Sequence, residues 1–252
     1  MEDLTIPLLW LIMLLFAALI AGYIDTLVGG GGLITIPALL LAGLPPIYAL
    51  GTNKFQAVIG SGTASLTLMR LGKVDFNKVK WIMTTAFLGS LVGSLIVQFV
   101  DANTLNFAIP VVLVGIALYF IFAPTNSIKE REPRITESRY RVTAVPGIGF
   151  YDGMFGPATG SFFVLAGVAL RGQSILNATF QAKTLNFATN FASLIIFLSF
   201  GHVALIAGVV MMAGQLIGAS FGARTLIKVN PALLRYLVIG MCFVILILWV
   251  NK

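Results

Sequence analysis

Apolar positions fall along this chain in long uncharged runs separated by short polar gaps. A bilayer core of roughly 30 Å takes about 20 residues of helix. Runs of that order extend from Ile6 to Ile24, Phe55 to Met69, Trp81 to Val100, Leu105 to Ala123, Thr184 to Gly201, Val203 to Ala223 and Tyr236 to Val250. Two shorter runs, Leu33 to Leu44 and Ser161 to Leu170, reach about half way across at 1.5 Å rise per residue. The pattern predicts an all-α polytopic membrane protein of about eight helices. The first run is read as a retained helix, because Glu2 and Asp3 precede it where a signal peptide carries basic residues.

Composition supports lipid as the solvent. Of 252 residues 58% are apolar and 10% charged, with a mean hydropathy of +0.99, whereas a soluble domain carries about 25% charged residues. An ordinary cytosolic enzyme, a disordered chain and a secreted disulfide scaffold are excluded. Cys242 is the one cysteine and reads as a small buried hydrophobe. The charges are ordered by topology. Arg70, Lys73, Lys78 and Lys80 share one gap, Lys129, Arg131, Arg134, Arg139 and Arg141 another, and Arg171, Arg224, Lys228 and Arg235 two more, which places these thirteen of sixteen basic residues on one side. The positive-inside rule makes that side cytoplasmic, in a cell inner (plasma) membrane with both termini external. The net charge of +7 is thereby explained without nucleic acid. Trp10, Trp81 and Trp249 lie near predicted helix ends, as an interfacial belt requires.

For the topology to close, Ile6 to Leu44 must leave and return on the external side, and Tyr140 to Leu170 on the cytoplasmic side, each as a helical hairpin with a short second arm. The hydrophilic stretch from Thr125 to Tyr140 is expected to be a solvated loop. The chain also repeats itself. Gly22-Tyr23-Ile24-Asp25-Thr26-Leu27-Val28-Gly29 returns as Gly149-Phe150-Tyr151-Asp152-Gly153-Met154-Phe155-Gly156 at an offset of 127, and Lys54 corresponds to Lys183. Because one half starts outside and the other inside, the halves are expected to be inverted-topology repeats, 1–124 and 141–252, joined by a linker at 125–140. That is the architecture of secondary transporters, with interrupted helices and a site near the bilayer midplane.

Candidate chemistry is confined to a few matched positions. Lys54, Lys183, Asp25 and Asp152 are the ionisable groups left within apolar stretches, each costing at least about 2.5–3.5 kcal/mol to insert. Asp25 precedes Gly29-Gly30-Gly31-Gly32, and Asp152 precedes Gly156-Pro157-Ala158-Thr159-Gly160-Ser161. Four glycines should break the first helix, with a new one starting near Leu33, and the freed amides and helix dipole form an anion site. Thr159 and Ser161 would serve the second break. Asn53, Lys54 and Gln56, with Gln181, Lys183, Asn186 and Asn190, offer ammonium and amide donors to a small oxyanion, Asn186 and Asn190 sharing one helix face. The competing readings are close helix packing for the glycines and headgroup snorkelling for the lysines. Asp25 and Asp152 are open to three roles: pairing with the lysines, capping the broken helix, or carrying a coupling proton. His202 reads as a solvated residue of an external loop. No HExxH, GxSxG, P-loop or paired Cys/His pattern occurs, so neither enzymatic chemistry nor a metal or cofactor is called for.

The stretch Ala21-Gly22-Tyr23-Ile24-Asp25-Thr26-Leu27-Val28-Gly29-Gly30-Gly31-Gly32-Leu33-Ile34-Thr35-Ile36-Pro37, followed by Gly51-Thr52-Asn53-Lys54 and a basic loop, resembles the sulfite exporter TauE/SafE family, also termed toluene sulfonate uptake permeases. Gly149 to Pro157 and Thr184-Leu185-Asn186-Phe187-Ala188 resemble that family's second repeat. The resemblance implies an alternating-access carrier of sulfite, organosulfonate or related small anions, commonly an exporter. Partners are then the anion, the bilayer and, as in many small carriers, a second copy in a homodimer. An anion channel, a carrier of another small organic anion such as a carboxylate, and a non-transporting scaffold stand as alternatives.

Overall fold

A computed structural model describes residues 6–122 and 130–226. Among them the chain forms ten helical segments and no strand. In order these are α1 Leu8–Val28, α2 Gly32–Leu41, α3 Pro46–Arg70, α4 Phe76–Val97, α5 Ala102–Phe122, α6 Glu137–Val142, α7 Ala144–Met154, α8 Thr159–Arg171, α9 Ile175–Ser199 and α10 Leu205–Leu226. The expected run from Tyr236 to Val250, with Cys242 and Trp249, lies outside the described residues.

Local chemistry sets the boundaries. Pro46 opens α3, where its fixed φ suits the first turn. The side chains of Asp75 and Ser174 accept the amides of Asn77 and Asn177 and cap α4 and α9. The glycine run stops α1 at Val28 and α2 begins at Gly32, close to the expected Leu33. Gly29 and Gly156 take φ of +85° and +94°, a backbone region costly for any residue with a Cβ. The third run starts well before the expected Phe55: α3 already begins at Pro46, so Lys54 lies two turns inside the helix rather than at its mouth.

The protein is an all-α polytopic membrane protein. α1, α4 and α10 are each long and apolar enough to cross a membrane. Their outward faces carry Phe16, Trp81, Leu88, Ile206 and Phe221 exposed, as a lipid-facing surface requires. α3 and α9, at 25 residues each, hold buried polar side chains along their length and sit at the centre.

Packing is reciprocal. α1 lies along α10 and α7 along α4, while α3 meets α9 and each of these also meets the other half's long helix, α3 with α10 and α9 with α4. Small residues make the close crossings. A Cβ on Gly214 or Gly218 would run into the backbone of Leu15 or Leu19, and one on Gly89 or Gly93 into that of Pro146 or Phe150. In a bilayer, where lipid is as apolar as leucine, such close approach is the chief source of helix association.

One expectation is refined and one changes here. Of the expected solvated stretch, residues 125–129 lie outside the described residues, and 130–139 are exposed apart from half-buried Ile135, yet they are tied down. Arg131 N donates to Gly172 O at 2.8 Å, Arg134 N donates to Leu170 O at 3.0 Å, and Tyr140, on α6, is buried. Backbone pairing with the α8–α9 turn draws this polar segment onto the protein. His202 is only partly exposed rather than solvated. Its Nδ1 is 2.7 Å from Gln98 Oε1, its ring packs edge-on to Tyr48, and burial lowers its pKa. The folded state therefore prefers the neutral ring, so the stability it contributes is present above the unfolded value near 6.5 and is lost as pH falls. The melting temperature of the purified protein is expected to drop more between pH 7.5 and 5.5 than that of His202→Gln. Equal drops would remove His202 from the account.

Candidate functional site

The two helix breaks meet. A Cβ on Gly29 would overlap the Gly160 backbone, Gly32 abuts Pro157, and Ser161 Oγ donates to Val28 O. Around this contact lies a cleft lined by Asp25, Gly29, Gly31, Gly32, Asn53, Gln56 and Ala57 from the first half, and by Gly156, Thr159, Gly160, Asn186, Asn190 and Gln215 from the second. Water-sized space in it amounts to about 20 Å³, room for one water at about 10–15 Å³ each.

Both aspartates and both lysines are drawn into pairs across the halves. Lys54 Nζ lies 2.7 Å from Asp152 Oδ1, each residue 1% exposed. The same oxygen accepts from Thr159 Oγ1 at 2.7 Å, which ties the second break to the pair. Lys183 donates to the backbone carbonyl of Asp25, and its Nζ stands 3.9 Å from Asp25 Oδ2. The other carboxylate oxygen, Asp25 Oδ1, accepts the Gly31 amide at 3.0 Å, so Asp25 caps the break it precedes. The pairs differ in kind. The first is closed and buried; the second is open, with Asp25 17% exposed and facing the cleft.

Amides line the remainder. Thr35 Oγ1 and Gln56 Nε2 both donate to Asn53 Oδ1, at 2.6 and 3.0 Å, and Asn190 Nδ2 donates to Asn186 Oδ1 at 3.2 Å. Gln56 Oε1 is buried with no partner among the described residues, an acceptor that a ligand proton or a water would satisfy.

A profile described as "Sulfite exporter TauE/SafE" matches residues 14–248. The chain belongs to the TauE/SafE family. Its relatives include "Probable membrane transporter protein ORF9" of Sinorhizobium sp, 44% identical over 89% of this chain and 85% of its own length. "Probable membrane transporter protein" of Haemophilus influenzae is 41% identical over 92% and 91%, and "Probable membrane transporter protein YfcA" of Escherichia coli K12 is 41% identical over 90% and 84%. No solved structure matches significantly. The chain is therefore a TauE/SafE membrane transporter.

Within this TauE/SafE fold the structure sorts the residues singled out from the sequence. Asn53, Gln56, Asn186, Asn190, Thr159, Gly29, Gly31, Gly32 and Asp25 line the cleft. Gly30 is buried in the break without lining it, and Ser161 is spent on Val28 O. Lys54 and Lys183 lie behind the cleft wall with their ammonium groups turned to the aspartates, not toward headgroups. Gln181 is elsewhere, bonded to Gln173 at 3.1 Å in a different pocket. Gln215 was not anticipated. Its signal was faint: one amide among the glycines and alanines of an uncharged run.

Proposed function

We propose that the protein is a secondary carrier of a small sulfur-containing oxyanion, sulfite or an organosulfonate, exporting it by alternating access across the cell inner membrane with both termini external. The observation that carries this reading is the convergence of two helix breaks and five carboxamides on one cleft between the halves. Amide donors and the N-terminal end of α2 would replace the water of an anion. Each lysine is matched by an aspartate, so the cleft is close to neutral before the anion enters. Alternating access would come from the halves rocking about the Gly29–Gly160 contact.

The open pair supplies a coupling device. Protonation of Asp25 would cancel its hold on Lys183 and leave an ammonium charge beside the cleft for the anion, so that proton and anion bind together. Lys183 is the cation that faces Asp25. Lys54 is occupied by Asp152, and Arg70 and Arg224 are exposed at the ends of α3 and α10. The closed Lys54–Asp152 pair then has a structural part.

Labelled sulfite flux in proteoliposomes tests both statements. Asn53→Ala with Asn186→Ala is expected to lower flux more than tenfold without loss of folded protein; unchanged flux would show that the cleft is not the site. Asp25→Asn keeps an acceptor for the Gly31 amide but removes the charge and the proton. Sulfite exchange at equal pH should persist in it, while accumulation driven by a pH gradient should vanish. Undiminished gradient-driven accumulation would take coupling away from Asp25.

A further inference from the structure

A second pocket lies at the basic end of the fold, where the N-terminal turn of α4, the short α6 and the α8–α9 turn come together. It is lined by Lys78, Glu137, Tyr140, Arg171, Gln173 and Gln181. Its water-sized space, about 110 Å³, is several times the 20 Å³ of the central cleft. At about 10–15 Å³ per water it takes several waters.

By charge the lining favours a negative guest, and it also holds one buried acceptor, Gln173 Oε1, with no partner among the described residues. Two cations against one carboxylate leave a net positive charge. Lys78 is exposed and makes no ion pair among the described residues, whereas Arg171 is steadied by donating to Ile135 O. Gln181 accepts from Gln173 through Oε1, which leaves its amide protons unspent in that contact. The decisive feature is Tyr140. Its residue is 1% exposed, yet its hydroxyl is buried with no partner among the described residues. Burial pushes the phenol up to about 12 against the opposing pull of Arg171, so it stays a proton donor at neutral pH. A buried hydroxyl left unpaired is uncommon unless something outside the protein supplies the acceptor.

The pocket lies on the same helix as the central site. Gln181 precedes Lys183 by two residues and Asn186 by five on α9, a rise of about 7.5 Å to the cleft-lining amide. We propose that this pocket is a second anion site, for a small oxyanion of the sulfite or sulfate type, which holds the transported ion on the basic side before it reaches the central cleft. The loading role rests on the carrier reading above; the binding site itself does not.

Calorimetric titration of the purified protein with sodium sulfite and sodium sulfate reads the site directly, with Tyr140→Phe and Lys78→Gln as variants that keep the ring packing and an exposed position. A binding event that survives Asn53→Ala with Asn186→Ala, but weakens about tenfold or more in Tyr140→Phe, is expected, because a hydrogen bond to a charged group is removed. In proteoliposomes the same variant should raise KM for sulfite offered on the basic side and leave kcat, and KM from the opposite side, unchanged. Binding indifferent to both pocket variants would overturn the site. Equal KM changes from both sides would overturn its loading role. If the wild-type protein binds sulfite in the pocket but carries none, the site stands and the carrier reading falls with the loading role.

Discussion

Lys54→Met is expected to lower stability by about 3–5 kcal/mol, the largest effect of any single side-chain substitution considered for this protein. The change removes one member of an ion pair whose residues are each 1% exposed, and strands the Asp152 carboxylate with Thr159 as its remaining side-chain donor. Asp152 Oδ2 already lacks a partner among the described residues, so no reserve of hydrogen bonds absorbs the loss. Adding Asp152→Asn should recover most of the deficit, since a neutral amide can still accept from Thr159 without an uncompensated charge. Lys183→Met should cost less, because its partner Asp25 stands farther off, reaches the cleft and keeps the Gly31 amide. Equilibrium unfolding in detergent of the three variants checks the order. If Lys54→Met and Lys183→Met prove equally stable, the contrast between a closed structural pair and an open working pair is wrong.

Gly29→Ala is expected to abolish most transport, by more than tenfold, even where folded protein is recovered. Two causes act together. The residue sits at φ +85°, which costs an L-residue roughly 1–2 kcal/mol, and its new methyl group would overlap Gly160 and Ser161 where the two breaks touch. Gly43→Ala separates the causes, because Gly43 has φ +91° and no atom within 4 Å of the added Cβ. It should pay only the backbone cost and transport at close to the normal rate. Similar flux in the two variants would show that the contact between breaks does not matter for movement of the halves.

The legible part of the site was the part written in single residues. The glycine run from Gly29 to Gly32, and Gly156 with Pro157, announce the breaks because glycine and proline cost most in a helix interior. Asn53, Gln56, Asn186 and Asn190 stood out because an amide inside an apolar run must find a partner. Gln181 stands out in the same way and belongs to another pocket, since five residues along α9 turn it about 140° away from Asn186. Gln215 carries no such signal, because it sits in an uncharged run that reads as a plain span, and only the crossing of α10 with α1 and α3 brings that amide to Gly22 and Gly60.

Lipid as the solvent, a helical fold and the places where helices stop followed from the amino-acid order, because each depends on how a residue and its near neighbours are solvated. Which lysine answers which aspartate was decided by the tertiary structure. Lys54 and Asp152 are 98 residues apart, Lys183 and Asp25 158 apart, and both pairs cross from one half to the other. Their unequal tightness, and with it the division between a buried strut and a carboxylate open to the cleft, arises from packing between distant helices. Matched positions in the two halves carry the same chemical groups, and only the surroundings tell them apart.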